Sequence, residues 1–285
     1  AATKRLIALA IGELGEPPTP WAWLALGSAA RQEQALRTDQ DHALAVEGEP
    51  DAFAGIAERV IAGLEAGGIP RCDANVMASD PRLRLTLEGW IGRMETWMVE
   101  AGPTGSEQLS ILADYREVTG DLDAEDALDA VMARAPAHPR FIRQLARRAL
   151  DGRPPLGFVR DLQVEHRGEH AGTIDIKHRG IVIVSSLARA YAVRAGVTAK
   201  RTLERLRAAE AAEVIDTGTR IDREEAFRFL WEVRLRHQVE RHRAGLPPDD
   251  FVDPHELGPV TRQGLKEAFR VVHRAQRALA LELGA

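Results

Sequence analysis

The sequence lacks any apolar run close to the roughly 20 residues that a membrane-spanning helix needs. Its longest apolar stretch, Trp21 to Gly27, is short and ends in a turn, which predicts a buried strand. A signal segment of charged, apolar and small residues is also missing at the start. These absences favour a cytoplasmic protein with no membrane partner.

Cysteine is nearly missing, because Cys72 is the single one in 285 residues. One cysteine excludes an internal disulfide framework and fits a reducing compartment. Cys72 could be a lone metal ligand or a nucleophile. No Ser/Cys–His signature surrounds it, so a small buried hydrophobe is the favoured interpretation.

Excess positive charge is lacking too. The formal net charge is −5, so no nucleic-acid partner is expected for the chain as a whole. Aromatic residues are few, whereas aliphatic residues and alanines are many, as in ordinary globular proteins. A length of 285 residues favours about two domains.

In the first half, apolar spacing predicts helices and three strands. Residues 4–14 carry an amphipathic helical stripe, and Trp21 to Leu26 form the first strand. Residues 41–46 read as a second strand, antiparallel to the first because the connection is too short for a crossover helix. Residues 109–115 are the predicted third strand, with Asp114 near its end. Pro81 is the predicted start of a helix with a Trp/Met core face.

A proline-bracketed joint at residues 135–139 marks the predicted domain boundary, which gives domains 1–135 and 136–285. In the second domain, residues 173–184 are read as two short strands around a His-Arg-Gly turn. The remainder is helical by periodicity. The predicted fold class is therefore α+β: a mixed sheet flanked by helices, followed by a mainly helical domain with a small β-hairpin.

The most informative stretch is Gly27 to Val46, GSAARQEQALRTDQDHALAV. Gly27 and Ser28 after a strand let backbone N–H groups approach an anion, and Arg31 adds a fork of donors suited to phosphate. Asp39 and Asp41, two apart on a strand, project from one face, and such carboxylates repel unless a cation such as Mg²⁺ lies between them. The alternative is a solvated acidic turn.

Gly-Ser, ten residues, Asp-x-Asp and an apolar strand form the pattern of the DNA polymerase beta-like nucleotidyltransferase superfamily, which this chain resembles. Within it, the stretch is similar to a bacterial subfamily with a G-S-x-x-R-x-E-Q core followed by T-D-Q-D. Three further segments carry the resemblance: IPRCDANVMASDPRLRLTLEGW, LADYREVTGD, and LGFVRDLQVEHRG with TIDIKHRGIVIVSSLARAYAV. The likeness extends to the nitrogen-regulatory uridylyltransferase, and it implies a nucleotidyltransferase-type sheet.

The resemblance also implies roles for individual residues. Gly27 and Ser28 would contact the β- and γ-phosphates of a nucleoside triphosphate, with Arg31 adding charge or bracing the acids. Asp39, Asp41 and Asp114 would bind two Mg²⁺ ions, with Mn²⁺ as an alternative, and Asp114 would help to deprotonate the acceptor. For Asp114 the alternative is an ion pair with Arg116.

Two residues of the second domain could also reach the triphosphate. Lys177 is predicted at a strand end before a glycine turn, and Arg189 lies on the following helix. Their alternatives are an ion pair of Lys177 with Asp175 and a solvated helix face for Arg189. Glu33 is expected to be structural, paired with an arginine.

The function that the resemblance implies is Mg²⁺-dependent transfer of a nucleoside monophosphate, AMP or UMP, to an acceptor hydroxyl, with release of pyrophosphate. The acceptor could be a protein. A non-catalytic nucleotide sensor, signalling to attached domains or to a partner, is the alternative. Members of the subfamily usually follow cystathionine-beta-synthase-type or cyclic-nucleotide-binding modules, so N-terminal regulatory domains in a longer chain are expected.

Overall fold

The computed structural model describes residues 2–100, 111–157 and 162–284. The chain divides into two compact units, Ala1–His138 and Pro139–Ala285. A short 3₁₀ turn, Ala135–Ala137, lies where the sequence predicts the end of the first domain. Each unit has its own apolar core.

Unit 1 is built on a four-stranded mixed sheet in the order β3-β2-β1-β4. The strands are β1 Trp21–Leu26, β2 His42–Val46, β3 Arg84–Thr86 and β4 Tyr115–Gly120. β1 is antiparallel to both β2 and β4, whereas β2 and β3 are parallel. The predicted antiparallel pairing of the first two strands is confirmed. Both are buried along nearly their whole length, so their sequences are apolar rather than alternating.

Helices of unit 1 cover this sheet. They are α1 Ala2–Leu14, the one-turn α2 Gly27–Ala30, α3 Ala54–Ala66, α4 Leu87–Glu100 and α5 Ala124–Met132. Apolar side chains of α1 and α3, among them Ile7 and Val60, pack in one cluster with Trp23 and Leu44 of the sheet. The indole of Trp90 on α4 donates to the Leu44 carbonyl at 2.8 Å, which ties that helix to β2.

Two predicted boundaries in unit 1 are wrong. The third strand does not span 109–115: residues 111–112 are helical, Asp114 lies in a bend, and β4 begins at Tyr115, while 101–110 lie outside the described residues. The helix predicted from Pro81 begins at Leu87, because a 3₁₀ turn, Pro81–Leu83, leads first into β3.

Unit 2 is mainly helical. Its helices are α6 Pro139–Asp151, α7 Val182–Arg194, α8 Thr202–Ala211, α9 Thr217–Arg243 and α10 Pro259–Leu283. Its core is a cluster of buried aliphatic and aromatic side chains centred on α7, which is buried along almost its whole length. A two-stranded sheet of β5 Ile174–Asp175 and β6 Phe251–Val252 completes the unit. None of the described helices has the length and apolarity to cross a bilayer.

The hairpin predicted for residues 173–184 is wrong. β5 pairs with the distant β6, and the chain then enters a π-helical turn, Lys177–Ile181, that leads into α7. The apolar run Ile181–Val184 leads from this turn into α7 and is buried except at Val182, and periodicity cannot distinguish such a run from a buried strand. Gly180 fits here because a Cβ would lie 3.0–3.2 Å from Leu230 and Phe269. The fold class is otherwise confirmed as a mixed sheet with helices, followed by a helical region with a small sheet.

Candidate active site

The site begins where β1 ends. Leu26 donates its backbone N–H to Asp41 O at 3.0 Å, and Gly27 donates to Asp114 O at 2.9 Å. The last residues of β1 are thus held between the segments that precede β2 and β4. Gly27 has a φ of +53°, and a Cβ there would lie 3.1 Å from Asp41 Oδ2. Glycine is needed at this turn both for its backbone and for the approach of the carboxylate.

Asp39 and Asp41 lie immediately before β2, not on it as the sequence predicts, because the strand begins at His42. The intervening Gln40 is buried, and its Nε2 donates to Ile61 O at 3.2 Å and to Ile69 O at 2.8 Å. Extended backbone alternates its side chains, so an inward Gln40 leaves both aspartates on the other side. Both are half-buried.

Backbone hydrogen bonds hold residues 69–78 beside the segment that carries Asp39 and Asp41. Gln40 N donates to Pro70 O at 3.1 Å, and His42 N donates to Val76 O at 3.1 Å. Between these two anchors lies Cys72, which is 8% exposed. Its thiol hydrogen-bonds to Asp41. Burial raises the pKa of the Cys72 thiol to about 11, and the Asp41 charge acts in the same direction.

The neutral side chain of His42 also holds residues 69–78 in place. Burial lowers the pKa of His42 to about 3, so the ring is uncharged at neutral pH. Its Nδ1 accepts from the backbone N–H of Ala78 at 3.0 Å, and its Nε2 faces Gln40 Oε1 at 3.2 Å. The ring also lies against Trp23, with centroids 4.7 Å apart. His42 therefore positions the backbone around the aspartates.

Arg31 and Asp114 form a buried ion pair beside the turn. The Arg31 Nη1 donates to Asp114 Oδ2, and its Nε donates to Glu33 Oε2 at 2.8 Å. The prediction that Glu33 pairs with an arginine is confirmed. The Asp114 carboxylate is fully buried, so its charge is compensated by Arg31 and not by water. Arg116, the alternative partner, donates to the carbonyls of Ala29 and Ala30 and so clamps α2.

The donor set of the site suits a divalent cation. Among the described residues, Asp39, Asp41 and Cys72 form a group whose ligand atoms all lie within 4.8 Å of one another. Two carboxylates are the hard oxygen ligands that Mg²⁺ takes, and a thiol is a softer ligand. The group does not include Asp114. A cavity of about 50 Å³ beside the two aspartates has the size of an ion with little water, not of a nucleotide.

Ser28 follows Gly27 in α2 and is half-buried, and its carbonyl accepts from Glu33 N at 2.9 Å. This bond folds the chain after α2 back over the turn. Gly27, Ser28, Arg31, Asp41 and Asp114 are therefore neighbours in space or linked through one another.

Lys177 and Arg189 lie in unit 2, so their predicted contact with a triphosphate held by unit 1 stays a prediction. Lys177 is half-buried at the start of the π-helical turn. Asp175, its alternative partner, accepts from His178 through both the backbone N–H, at 2.9 Å, and Nδ1, at 2.8 Å. Arg189 is 4% exposed, so the alternative of a solvated helix face is wrong.

Sequence reasoning missed the position of Cys72. No spacing rule connects a cysteine to acids some thirty positions earlier in the chain. The available signal was indirect: Cys72 lies in the segment IPRCDANVMASD, which carries part of the resemblance but reads as an irregular loop.

Comparison with family models gives two matches. Residues 139–283 match DUF294_C, described as "Putative nucleotidyltransferase substrate binding domain". Residues 1–104 match DUF294, described as "Putative nucleotidyltransferase DUF294". No curated protein matches the chain. The first match covers unit 2 from its start, and the second contains the Gly27 turn, both aspartates and Cys72.

Proposed function

Since this chain belongs to the DUF294_C family of nucleotidyltransferase substrate-binding domains, we propose that it transfers a nucleoside monophosphate from a nucleoside triphosphate to an acceptor hydroxyl and releases pyrophosphate. The observation that carries the proposal is the meeting of Asp39 and Asp41 beside the Gly27 turn. A carboxylate pair next to a glycine turn that an anion can approach is the arrangement that a metal-assisted attack on phosphorus needs.

In this proposal Gly27 and Ser28 receive the triphosphate. The turn has no Cβ at Gly27, so phosphate oxygens can come close to the backbone, and the Ser28 hydroxyl is a further donor. Arg31, four residues after Gly27, would add positive charge beside the triphosphate. Its second role is to hold Asp114 in place.

Asp39 and Asp41 would hold Mg²⁺ or Mn²⁺. The bound ions would neutralise charge on the triphosphate and lower the pKa of the acceptor hydroxyl. The two aspartates are held in position because the backbone around them is anchored by the Gln40 side chain on one side and by the Leu26 N–H on the other. Asp114 is the third acid of the proposal: when the triphosphate draws Arg31 away, its carboxylate becomes available to accept the acceptor proton.

Unit 2 would supply the acceptor side, with Lys177 and Arg189 as further contacts to the triphosphate. A protein acceptor, a choice between AMP and UMP, and regulation by domains attached upstream belong to the same proposal. They are supported by the resemblance of Gly27 to Val46 to the bacterial subfamily and to the nitrogen-regulatory uridylyltransferase.

A nucleotide sensor is the second candidate. The observation that favours it is the Arg31–Asp114 ion pair, which occupies the acid that would otherwise complete the catalytic set. A sensor needs the cradle and the two aspartates for binding, but it does not need a free third carboxylate.

The test is pyrophosphate release from each of the four nucleoside triphosphates with Mg²⁺ and with Mn²⁺, alongside nucleotide binding by calorimetry. The proposal expects release in the wild-type protein and its loss in Asp39→Ala/Asp41→Ala. The matched control is Asp123→Ala/Asp126→Ala, which removes the same charge from exposed positions of unit 1. Nucleotide binding without turnover in any condition would overturn the enzyme, and loss of that binding in the site variant would favour the sensor.

A further inference from the structure

We infer that Cys72 acts with Asp39 and Asp41 as a third ligand for thiophilic divalent cations of the zinc class. The inference deepens the proposed function, because it rests on the metal-binding role of the two aspartates. It assigns a chemical role to the one cysteine of the chain, which sequence reasoning treats as a small hydrophobe.

The first support is distance. The Cys72 Sγ and one carboxylate oxygen from each aspartate lie within 4.8 Å of one another. Metal–sulfur and metal–oxygen bonds of about 2.0–2.3 Å place two ligand atoms at most about 4.5 Å apart across one ion. Small side-chain movements are therefore enough to close a three-ligand shell around a cation between these atoms.

The second support is the way the thiol is held. Cys72 lies between two backbone anchors, Pro70 O to Gln40 N and Val76 O to His42 N, each at 3.1 Å. The same two residues, Gln40 and His42, flank Asp41 in the chain. The thiol and the carboxylate are thus fixed by one set of hydrogen bonds, which is how a preorganised ligand set is built.

The third support is electrostatic. A cysteine that served only as a hydrophobe would gain most from apolar neighbours. Here its sulfur faces two carboxylates, and two carboxylates side by side favour a cation between them. A thiol in that position adds a soft ligand to two hard ones, and soft ligands select zinc-class ions over Mg²⁺.

Cation binding in this arrangement is a simple exchange. The S–H bond of Cys72 breaks, a sulfur–metal bond forms, and the proton passes to solvent. No oxidant or reductant takes part, and the oxidation state of the metal is unchanged. Zinc-class ions would therefore compete with Mg²⁺ for the aspartates and occupy the place where the proposed transfer needs Mg²⁺.

The experiment titrates the full chain with Cd²⁺ and follows sulfur-to-metal charge-transfer absorption in the ultraviolet. Because Cys72 is the single cysteine, a thiolate band has one source. We expect the band to saturate at one Cd²⁺ per chain and to disappear in Cys72→Ser. Cd²⁺ affinity should fall by about tenfold or more in that variant, whereas Mg²⁺ affinity should stay unchanged.

The controls separate folding from ligation. Cys72→Ala and Cys72→Ser should both melt as the wild type does without metal, and Asp41→Asn should weaken Cd²⁺ and Mg²⁺ binding together. Cd²⁺ binding without the charge-transfer band, equal Cd²⁺ affinity in Cys72→Ser, or no Cd²⁺ binding would overturn the inference. Absence of pyrophosphate release from the wild-type protein with Mg²⁺ or Mn²⁺ and no Cd²⁺, together with an intact band in the Cd²⁺ titration, would overturn the proposed function alone.

Discussion

At the scale of single residues, Gly27 has a positive φ that favours glycine, and the Asp41 carboxylate lies close to its Cα. Gly27→Ala places a Cβ 3.1 Å from Asp41 Oδ2 at a positive φ, so we expect a loss of about 1–2 kcal/mol in the free energy of unfolding. The same substitution should weaken Mg²⁺ binding, because Asp41 has to move. Urea unfolding and calorimetry measure the two effects.

The matched control for Gly27 is Gly68→Ala. Gly68 has a φ of +85°, but a Cβ there meets nothing within 4 Å. Gly68→Ala should lower the free energy of unfolding through backbone strain and leave Mg²⁺ binding unchanged. Equal Mg²⁺ affinity in Gly27→Ala and Gly68→Ala would show that the approach of Asp41 to the turn does not matter for metal binding.

The Arg31–Asp114 pair is the other residue-scale feature. Arg31→Met removes the cation beside a fully buried carboxylate, so we expect a loss of about 3–5 kcal/mol in unfolding free energy. Denaturant unfolding at neutral pH measures it. Arg59→Met is the control, because Arg59 and Glu13 form an exposed bidentate pair whose loss should change little. A loss in Arg31→Met as small as that in Arg59→Met would mean that Asp114 is not stabilised by Arg31.

Part of the site could be predicted at this scale. The i, i+2 spacing of Asp39 and Asp41 indicates a shared side, and the structure has them close together although neither lies on a strand. Cys72 could not be predicted, because its place depends on hydrogen bonds from Gln40 and His42 to a loop without periodicity. Contacts between such distant segments are a property of the packed chain.

At the scale of elements, buried strands could be predicted from the sequence, whereas segments whose pattern fits both a strand and a helix could not. β1 and β2 are continuous apolar runs bounded by turn residues, so their positions could be predicted. β4, Tyr115–Gly120, is largely half-buried and polar at the edge of the sheet, and it carries no strong strand pattern. The start of α7 is apolar on every side, so it resembles a strand until its surroundings are known.

Asp249 lies two residues before Phe251, the first residue of β6 in the short sheet of unit 2. Asp249 accepts from Phe251 N at 3.0 Å and from His237 Nε2 at 2.7 Å. Although burial opposes ionisation, the hydrogen bond from His237, with the bond from Phe251 N and the Arg241 charge, holds the pKa of Asp249 below its ordinary value. A lowered folded-state pKa gives stability that is present above the unfolded-state pKa and is lost as pH falls through the folded-state pKa.

Asp249→Asn should therefore be less stable than the wild type at pH 7, by about 1–3 kcal/mol. The difference should shrink as pH falls below about 4, where the wild-type carboxylate becomes protonated. Thermal unfolding across pH measures this profile. Asp222→Asn, at an exposed position of α9, is the control and should match the wild type throughout. A pH-independent loss in Asp249→Asn would contradict the charge-based account.

At the scale of the whole molecule, two cores imply two unfolding events. Phe269 is fully buried in the core of unit 2, and Leu44 is buried in that of unit 1. Calorimetry should show two transitions, since multidomain chains depart from two-state behaviour. Phe269→Ala, with a loss of about 3–5 kcal/mol, should lower one transition, and Leu44→Ala, with about 2–5 kcal/mol, the other. A single transition lowered by both variants would mean that the units unfold together.

The bonds at the end of β1 also have a consequence for solvent exchange. The N–H groups of Leu26 and Gly27 are neighbours in the chain, but one bonds to Asp41 O and the other to Asp114 O. Their deuterium uptake thus reports separately on the β2 side and on the β4 side of the site. A ligand that binds only Asp39 and Asp41 should slow deuterium uptake at Leu26 more than at Gly27. The exchange rates of these two adjacent amides can therefore show which side of the site a ligand stabilises.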